Sequence, residues 1–376
     1  MNHHSIFNAK ESDVRDNVTS KNVGSKGTDF ILSVFEKMWF YQNYVYYIMP
    51  FVIFFGILNN SLTIIAMVKQ SVSIPKRLKY YYIVIAGFDL VTIFVKDFLA
   101  YFIEDGFALY TKGSFYVFSR DSSHFACKAL TITYSFGWLF SNYTLASLSV
   151  ERMLVIRNPL KSAQYTSRKW VLTQWAVVVL PICLIALGLA SLNMQLVPVS
   201  PDNPLNVVCS PGNPNPIIFY TEAWYGCFAN YFNHAFIMLI CSIFTASKLG
   251  SSISAKRELA EMQAESSTKL SSREIQAAIT VMTLAILQCC IYYPSFVFCM
   301  IFCVASQDPV FIKGHPYEYA VIVSTYDLVR LTVSFAHCWN FYIYMIRISS
   351  FRRIFLCSKQ ASSSQSHKVS RTFTDK

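Results

Sequence analysis

The chain has 376 residues, of which 54% are hydrophobic, 16% aromatic and only 14% charged, and its net charge is +11. This composition is typical of a membrane protein rather than of a soluble domain. A basic chain can also bind nucleic acid, but these basic residues lie in short stretches beside long apolar segments. We therefore expect no nucleic-acid partner.

Seven apolar stretches make up most of the chain, and each is close to or above the ~20 residues that cross a hydrocarbon core as a helix. The sequence predicts an all-α membrane protein, a seven-transmembrane helix bundle within residues 44–348. A tail at 1–43 precedes it, and a short amphipathic eighth helix at 349–357 and a cytoplasmic tail at 358–376 follow. The stretches are about 44–68, 79–103, 126–150, 171–195, 217–247, 275–303 and 317–346.

The basic residues also predict the orientation. If the tail at 1–43 is outside, most of the 32 basic residues fall on the inner side, where membrane proteins concentrate lysine and arginine. We therefore expect a multi-pass plasma-membrane protein with an extracellular N-terminus. In that orientation Asn17, in Asn17-Val18-Thr19, is an outer glycosylation acceptor.

The 11 cysteines fall into three groups. Cys127 begins the third segment and Cys209 lies between the fourth and fifth, so both face the oxidising exterior and can pair. Cys357 follows an amphipathic basic run and is a candidate for palmitoylation, with an unmodified thiol as the equal alternative. We expect the others, mostly inside helices, to pack as small apolar residues.

Charged residues inside the apolar segments are costly, at about 2.5–3.5 kcal/mol each at the bilayer centre on insertion scales. They should therefore face the interior of the bundle. One alternative to a functional role is internal neutralisation, since Asp327 and Arg330 are three residues apart and can pair. The set comprises Asp89, Lys96, Asp97, Glu222, Asp327 and Arg330.

Landmark residues recur at set positions in the segments, from residue 44 to residue 356. They are Gly56 and Asn60, Asp89, Glu151-Arg152-Met153, Trp175, Pro294, and Asn340 with Tyr344. Their spacing resembles that of rhodopsin-like G-protein-coupled receptors. The Asn-Phe-x-x-Tyr form of the last motif and the Ser-Val-Glu-Arg sequence look most like invertebrate neuropeptide receptors of the FMRFamide and myosuppressin kind.

This resemblance implies a receptor that binds an extracellular ligand and activates a heterotrimeric G protein. It implies an activation switch at Glu151, Arg152, Asn340 and Tyr344. Glu274 lies 20 residues before Pro294, which places it roughly 30 Å inward and level with Arg152. We expect these two residues to pair in the resting state. The Ser-rich tail would receive phosphates that arrestin-type partners read, and the outer surface of the bundle would contact membrane lipid.

The resemblance also implies a sodium and water cluster around Asp89. Its other members would be Asn60, Ser141 and Asn340, with His337 close by. A sodium ion near Asp89 is the only cofactor that the sequence suggests.

Two absences restrict the ligand. Tyr134 stands where amine receptors keep an aspartate, and the seventh segment has no lysine to hold retinal. A pocket with both charge signs and several tyrosines suits a peptide that carries an arginine, an aromatic residue and an amidated end. The alternatives are a chemosensory receptor for a small molecule and, for each tyrosine, a packing role. The predicted pocket residues are Lys96, Asp97, Tyr134, Glu222, Tyr292, Tyr293, Asp327 and Arg330.

Two other classes fit the sequence less well. A transporter typically contains internal repeats, and we find none. A membrane metallohydrolase needs His and Asp ligands at helical spacing, but His234 and His337 stand alone in their segments. We therefore expect no enzymatic activity.

Overall fold

The structure is a computed structural model that describes residues 25–69, 75–106, 111, 121–158, 167–192, 194–200, 203–211, 226–261, 272–306 and 308–355. All structural statements below concern these residues. Three predicted sites lie outside them, as does the Ser-rich tail: Asn17, Glu222 and Cys357.

Seven long helical segments follow one another in the described residues, and they fall on the seven predicted stretches. They are α1 (Ser25–Val68), α2 (Lys76–Thr92, continuing as a π-helix over Ile93–Gly106), α3 (His124–Arg157), α4 (Arg168–Gln174, Trp175–Val179 and Leu180–Leu192), α5 (Phe228–Phe232 and Asn233–Glu261), α6 (Ser272–Ala305) and α7 (Pro316–Ala336 and Asn340–Arg347). A short helix, α8 (Ser349–Phe355), follows α7, and another at Pro309–Gly314 precedes it.

A two-stranded antiparallel hairpin lies between α4 and α5. It consists of β1 (Met194–Ser200) and β2 (Asn203–Pro211), and Leu196 of β1 is paired with Cys209 of β2. We call the end of the bundle that holds this hairpin the outer end, and the end that holds Arg152 the inner end.

Length and composition qualify four of the described helices to cross a membrane: Tyr47–Val68, Phe228–Ser251, Glu274–Ala305 and Tyr317–Ala336. A shorter apolar helix covers Lys169–Ile185. The second predicted stretch is less apolar because Asp89, Lys96 and Asp97 lie within it, and all three side chains are buried. The helical backbone of α1 begins at Ser25, well before the predicted start at residue 44.

The helices place apolar side chains both inside the bundle and on its outer surface. Tyr81, Tyr82, Tyr292 and Tyr344 are almost fully buried among the helices. Large apolar side chains such as Phe51 are more than half exposed. A membrane helix favours this arrangement, because lipid replaces water as the solvent of its outer surface.

The seventh helix is interrupted between Ala336 and Asn340, where the backbone leaves carbonyl groups without helical partners. Asn60 of α1 donates its side-chain N–H to the carbonyl of His337 at 2.9 Å, and Asn59 donates to that of Cys338 at 3.3 Å. A break in a membrane helix is tolerated where neighbouring side chains satisfy the freed backbone groups in this way. The two asparagines therefore hold α1 against the break in α7.

Helices α2 and α3 approach each other closely at Gly137. A Cβ atom on Gly137 would lie 2.9 Å from the hydroxyl of Thr92 and 3.3 Å from the carbonyl oxygen of Phe88. That hydroxyl already donates to the Phe88 carbonyl at 2.9 Å. The absence of a side chain at Gly137 thus sets the distance between the two helices.

We expect Gly137→Ala to lower the melting temperature of the purified protein, because overpacking costs about 1–3 kcal/mol. Gly87→Ala is the matched control, since a Cβ atom there meets nothing within 4 Å. Alanine is also the better helix former by roughly 1 kcal/mol, so the control should melt at the same temperature or higher. Equal changes in the two variants would show that the α2–α3 distance does not depend on Gly137.

Candidate functional site

The inner end of the bundle contains a buried arginine held by two carboxylates. The Arg152 side chain on α3 is only 2% exposed, and its Nη1 lies 2.6 Å from Oε2 of Glu274 on α6. Its Nη2 contacts Glu151, the preceding residue. The pair of Arg152 with Glu274 that the sequence suggested is therefore formed in this structure, and it joins α3 to α6.

A second arginine completes this arrangement. Arg77 of α2 places its Nη2 2.7 Å from Oε1 of Glu274 and its Nε 3.2 Å from Oε1 of Glu151. The two arginines and two glutamates thus form a closed ring of alternating charge, which we call the inner charge ring. It links α2, α3 and α6.

The sequence reasoning missed Arg77, although a signal was present. Arg77 is the second residue of α2 and Glu274 the third of α6, so both lie within the first turn at the inner end. In the sequence, Arg77 is one of the basic residues that predict the orientation. Its part in the inner charge ring follows from how α2 packs beside α3.

The inner segment of α7 lies against α2 and α6. The ring of Tyr344 is 4.4 Å from that of Tyr82, centroid to centroid. The side chain of Gln276 on α6 donates a hydrogen bond to the backbone carbonyl of Arg347. Tyr344, a predicted switch residue, is therefore packed inside the bundle in this conformer.

Midway along the bundle, three side chains contact the carboxylate of Asp89. Its Oδ1 accepts from Ser141 at 2.6 Å and contacts Nδ1 of His337 at 2.6 Å. Its Oδ2 accepts from Asn340 at 2.9 Å. Asn60 reaches this region through the backbone carbonyl of His337. The four residues predicted to form a cluster thus come together, and His337 joins them.

These contacts also test whether a sodium ion fits beside Asp89. An imidazole nitrogen lies at Oδ1 and an amide nitrogen at Oδ2, so part of the carboxylate is already occupied. The buried Oδ1 of Asn340 has no hydrogen-bond partner among the described residues, so an oxygen ligand is also present beside Asp89. A sodium ion at this place stays a prediction.

On the outer side of Asp89, two further charged residues are buried. Lys96 is 5% exposed, and its Nζ lies 3.8 Å from the ring centroid of Trp138 on α3. Asp97 is fully buried, and its Oδ1 accepts from Ser334 of α7 at 2.9 Å. Within the described residues, neither Lys96 Nζ nor Asp97 Oδ2 has a hydrogen-bond partner.

Trp138 links this region to the aromatic core, and the sequence analysis did not single it out. Its ring centroid is 5.3 Å from that of His337 and 6.3 Å from that of Tyr292. Trp138 lies 11 residues, or about three helical turns, after Cys127, so the two share one face of α3. This spacing from Cys127 is the sequence signal that could have pointed to Trp138.

The outermost charged pair belongs to α7. Nη1 of Arg330 lies 3.4 Å from Oδ1 of Asp327, as the internal-neutralisation alternative expected. The guanidinium of Arg330 also lies 4.2 Å from the ring centroid of Tyr101 and 5.6 Å from that of Tyr326. Arg330 therefore already has an acidic partner and two aromatic neighbours.

The three predicted pocket tyrosines lie in different surroundings. Tyr292 is fully buried and donates a hydrogen bond to the side-chain oxygen of Asn142 at 3.1 Å. Tyr293 is half-buried, with its ring 5.8 Å from that of Phe232. Tyr134 is half-buried on α3. Tyr292 is thus packed inside the bundle, as the packing alternative expects, and its place in a ligand pocket stays a prediction.

At the outer end, a disulfide joins Cys127 of α3 to Cys209 of β2, with their Cα atoms 5.5 Å apart. The backbone N–H of Cys209 donates to Asp121 at 2.7 Å, and the N–H of Leu196 donates to His124 at 3.4 Å. The pair named from the sequence is therefore bonded here. It fixes the hairpin to the start of α3.

A second disulfide corrects the expectation that the other cysteines only pack as small apolar residues. Cys227 at the start of α5 is bonded to Cys299 of α6. The expectation was wrong for these two residues because it treated each helix alone. Only the packing of α5 on α6 brings their sulfur atoms together.

The family profile of seven-transmembrane receptors of the rhodopsin family matches residues 59–344. No curated protein matches the chain. The matched range runs from Asn59 in α1 to Tyr344 in α7 and includes Asp89, Arg152 and Asn340. The chain therefore belongs to the rhodopsin family of seven-transmembrane receptors.

Membership of this family confirms the coarser predictions. The protein is an all-α, multi-pass membrane receptor that takes an extracellular ligand and signals through a G protein, and members of the family are receptors rather than enzymes.

The buried charges near Trp138 generate a prediction about charge balance. We expect Lys96→Met to reduce delivery of the receptor to the cell surface severalfold, because the buried Asp97 carboxylate then lacks a nearby positive charge. The double variant Lys96→Met/Asp97→Asn should recover most of that loss. Surface labelling of an epitope-tagged receptor measures the effect.

Lys128→Met, at the outer end of α3, controls for the loss of a lysine as such, since Lys128 is exposed. If the double variant reached the cell surface no better than Lys96→Met, the two charges would not balance each other.

Proposed function

We propose that the protein is a plasma-membrane receptor for an extracellular neuropeptide, with its N-terminus outside, and that the inner charge ring stabilises its resting state. The proposed role of the inner charge ring rests on the contact of Glu274 with both Arg152 and Arg77. Through it, α6 is tied to α3 and α2 at the end where we place the G protein.

Electrostatics explain why the ring favours one conformer. Arg152 is nearly fully buried, and an unpaired buried charge costs several kcal/mol. The carboxylates of Glu151 and Glu274 supply the compensating charge while α6 stays close. If α6 moves outward, Arg152 loses Glu274 and becomes available to a partner in the opened cleft.

Ligand binding would shift this balance from the outer side. A ligand that binds more tightly to the open conformer raises its population in proportion to the difference in affinity. The open inner end then accepts the G protein. We further propose that phosphorylation of the Ser-rich tail recruits arrestin, that Cys357 is palmitoylated, and that Asn17 is glycosylated.

We expect Glu274→Gln to raise ligand-independent signalling at equal surface expression, because it removes one charge from the inner charge ring. A change of ~1.4 kcal/mol between the two conformers alters a small active fraction about tenfold. Arg77→Gln should act in the same direction but less strongly, since Arg152 keeps Glu274. Arg152→Met should abolish G-protein activation while ligand binding is retained.

The control for Arg77→Gln is Arg353→Gln, which removes the same charge from an exposed position on α8. Cyclic AMP and calcium are measured together, with surface expression quantified for every variant. Unchanged basal signalling in Glu274→Gln would contradict the role of the ring.

The peptide assignment draws on the mixture of charges in the outer half of the bundle. Asp97, Asp327 and Arg330 lie there with Tyr101 and Tyr134, and carboxylates and tyrosines suit an arginine and an aromatic side chain. The resemblance of the motifs to invertebrate FMRFamide-type receptors supports the same class of ligand.

A small uncharged ligand, and so a chemosensory receptor, is the second candidate. The burial of Lys96 and Asp97, and the contact of Arg330 with Asp327, favour it, because these charges already have neighbours inside the protein. This candidate also fits the membership of the family.

We expect a direct partner of a peptide arginine to show coupling in a double-mutant cycle. Asp327→Asn should weaken binding of the activating peptide by several kcal/mol, whereas an analogue with citrulline in place of arginine should lose little further affinity on that variant. Asp97→Asn is tested in the same way. Glu318→Gln, an exposed position on α7, serves as the control.

The cycle also distinguishes the two candidates. Additive losses at both aspartates would mean that neither contacts the peptide arginine. Activation by a small uncharged compound, together with additive cycles, would favour the chemosensory receptor.

A further inference from the structure

Three cysteines lie together where the outer ends of α5 and α6 meet. Cys227 is at the start of α5, and Cys299 and Cys303 are one helical turn apart on α6, so both face α5. The three sulfur atoms all lie within 4.8 Å of one another. Neither the family membership nor the proposed function gives this cluster a role.

Two of the three sulfur atoms are already bonded to each other. Cys227 and Cys299 form a disulfide with their Cα atoms 6.2 Å apart, which is within the usual range. Sγ of Cys303 lies 3.7 Å from Sγ of Cys227. A free thiol therefore lies beside a disulfide, and attack on Cys227 would require the Cys303 side chain to turn until its sulfur atom is in line with the Cys227–Cys299 bond.

The cluster lies at the outer end of the bundle, close to the end of α6. Cys303 is two residues before the end of α6 at Ala305, which is about 3 Å along the helix axis. Cys227 and Cys299 are buried, but Cys303 is only half-buried. In the proposed orientation this end faces the oxidising exterior, where disulfides persist.

We propose that Cys227, Cys299 and Cys303 form a thiol–disulfide exchange site in which Cys227 pairs with either of the two cysteines on α6. The thiolate of Cys303 attacks Sγ of Cys227, so the Cys227–Cys303 bond forms as the Cys227–Cys299 bond breaks. The electron pair leaves on Sγ of Cys299, which takes up the proton that Cys303 gave up. No external oxidant or reductant is consumed.

The exchange changes which turn of α6 is tied to α5. Cys299 and Cys303 are four residues apart, which is ~6 Å along the helix axis. The two disulfides therefore hold the outer end of α6 at different heights against α5. Both cysteines lie on the outer side of Pro294, whose missing N–H interrupts the hydrogen bonding of α6.

A metal site is the competing interpretation, since three thiolates can bind zinc. The disulfide argues against it, because a sulfur atom in a disulfide is not a thiolate ligand. Only Cys303 remains as a free thiol in the cluster. The structure therefore favours exchange, and zinc is an outcome that the experiment must separate.

The test maps the bonds in the full-length receptor at the cell surface. Free thiols are blocked with N-ethylmaleimide, and the receptor is digested with chymotrypsin without reduction and examined by mass spectrometry. Chymotrypsin cleaves after Phe298 and Phe302, so Cys299 and Cys303 fall on different peptides. We expect both disulfides in the wild-type receptor, with one blocked cysteine per cluster divided between Cys299 and Cys303.

Matched variants test each partner. Cys299→Ser should place all of the cross-link at Cys227–Cys303, Cys303→Ser should leave only Cys227–Cys299, and Cys227→Ser should lose both. Cys290→Ser, an exposed cysteine on α6, should leave the pattern unchanged. The disulfide of Cys127 with Cys209, found in every variant, shows that the variant has folded.

Two results would overturn the proposal. The first is a wild-type receptor with only Cys227–Cys299, together with a Cys299→Ser variant in which Cys227 and Cys303 are both blocked as free thiols. The second is a wild-type receptor with three free thiols in the cluster and one bound zinc ion by elemental analysis, since that result identifies a metal site.

Discussion

Charges buried inside a membrane bundle need partners within the bundle, and this requirement shapes the whole interior of the protein. Lipid offers neither water nor counter-ions, so each buried carboxylate or guanidinium depends on a neighbouring helix. At the inner end, Arg152 depends on Glu151 and Glu274. Midway, Asp89 depends on donors from α3 and α7. If α6 leaves α3 and α2, Glu274 loses both arginines and Arg152 keeps only Glu151, which is why a change of conformer has to be stabilised by a ligand or a protein partner.

The middle of the bundle is a continuous region of polar and aromatic contacts between its two ends. Trp138 contacts the amino group of Lys96 and lies beside His337, which in turn contacts Asp89. On the other side, the ring of Tyr292 on α6 packs against His234 of α5, with their centroids 4.5 Å apart. A shift of α6 at the outer end would therefore disturb contacts that reach towards the inner charge ring. Contacts of this kind can carry coupling between two sites, and a double-mutant cycle between a residue at each end would measure the energetic link.

The two outer disulfides restrain different parts of the molecule. The bond between Cys127 and Cys209 fixes a loop to α3, and the hairpin that it holds lies at the outer end. The bond between Cys227 and Cys299 joins two helices directly. The second restraint acts on α6, the helix whose inner end carries Glu274. An outer disulfide and an inner ion pair thus act on the same helix, so conversion to the open conformer has to break the ion pair while a disulfide holds the outer end of α6 to α5.

The class of protein was predictable from the sequence because a membrane helix leaves a local signal: about 20 apolar residues, basic residues beside one end, and landmark residues at set spacing. The i,i+3 spacing found the pair of Asp327 with Arg330, and helical rise together with the family resemblance found that of Arg152 with Glu274. The sequence reasoning missed Arg77, the role of Trp138 and the bond of Cys227 to Cys299. These features depend on which face of one helix meets which face of another, and the long-range packing of side chains that fixes this is not visible in the periodicity of any single segment. The sequence therefore identified the receptor, its charged residues and two of their pairs, whereas only the folded bundle determined the contacts that depend on which faces of the helices meet.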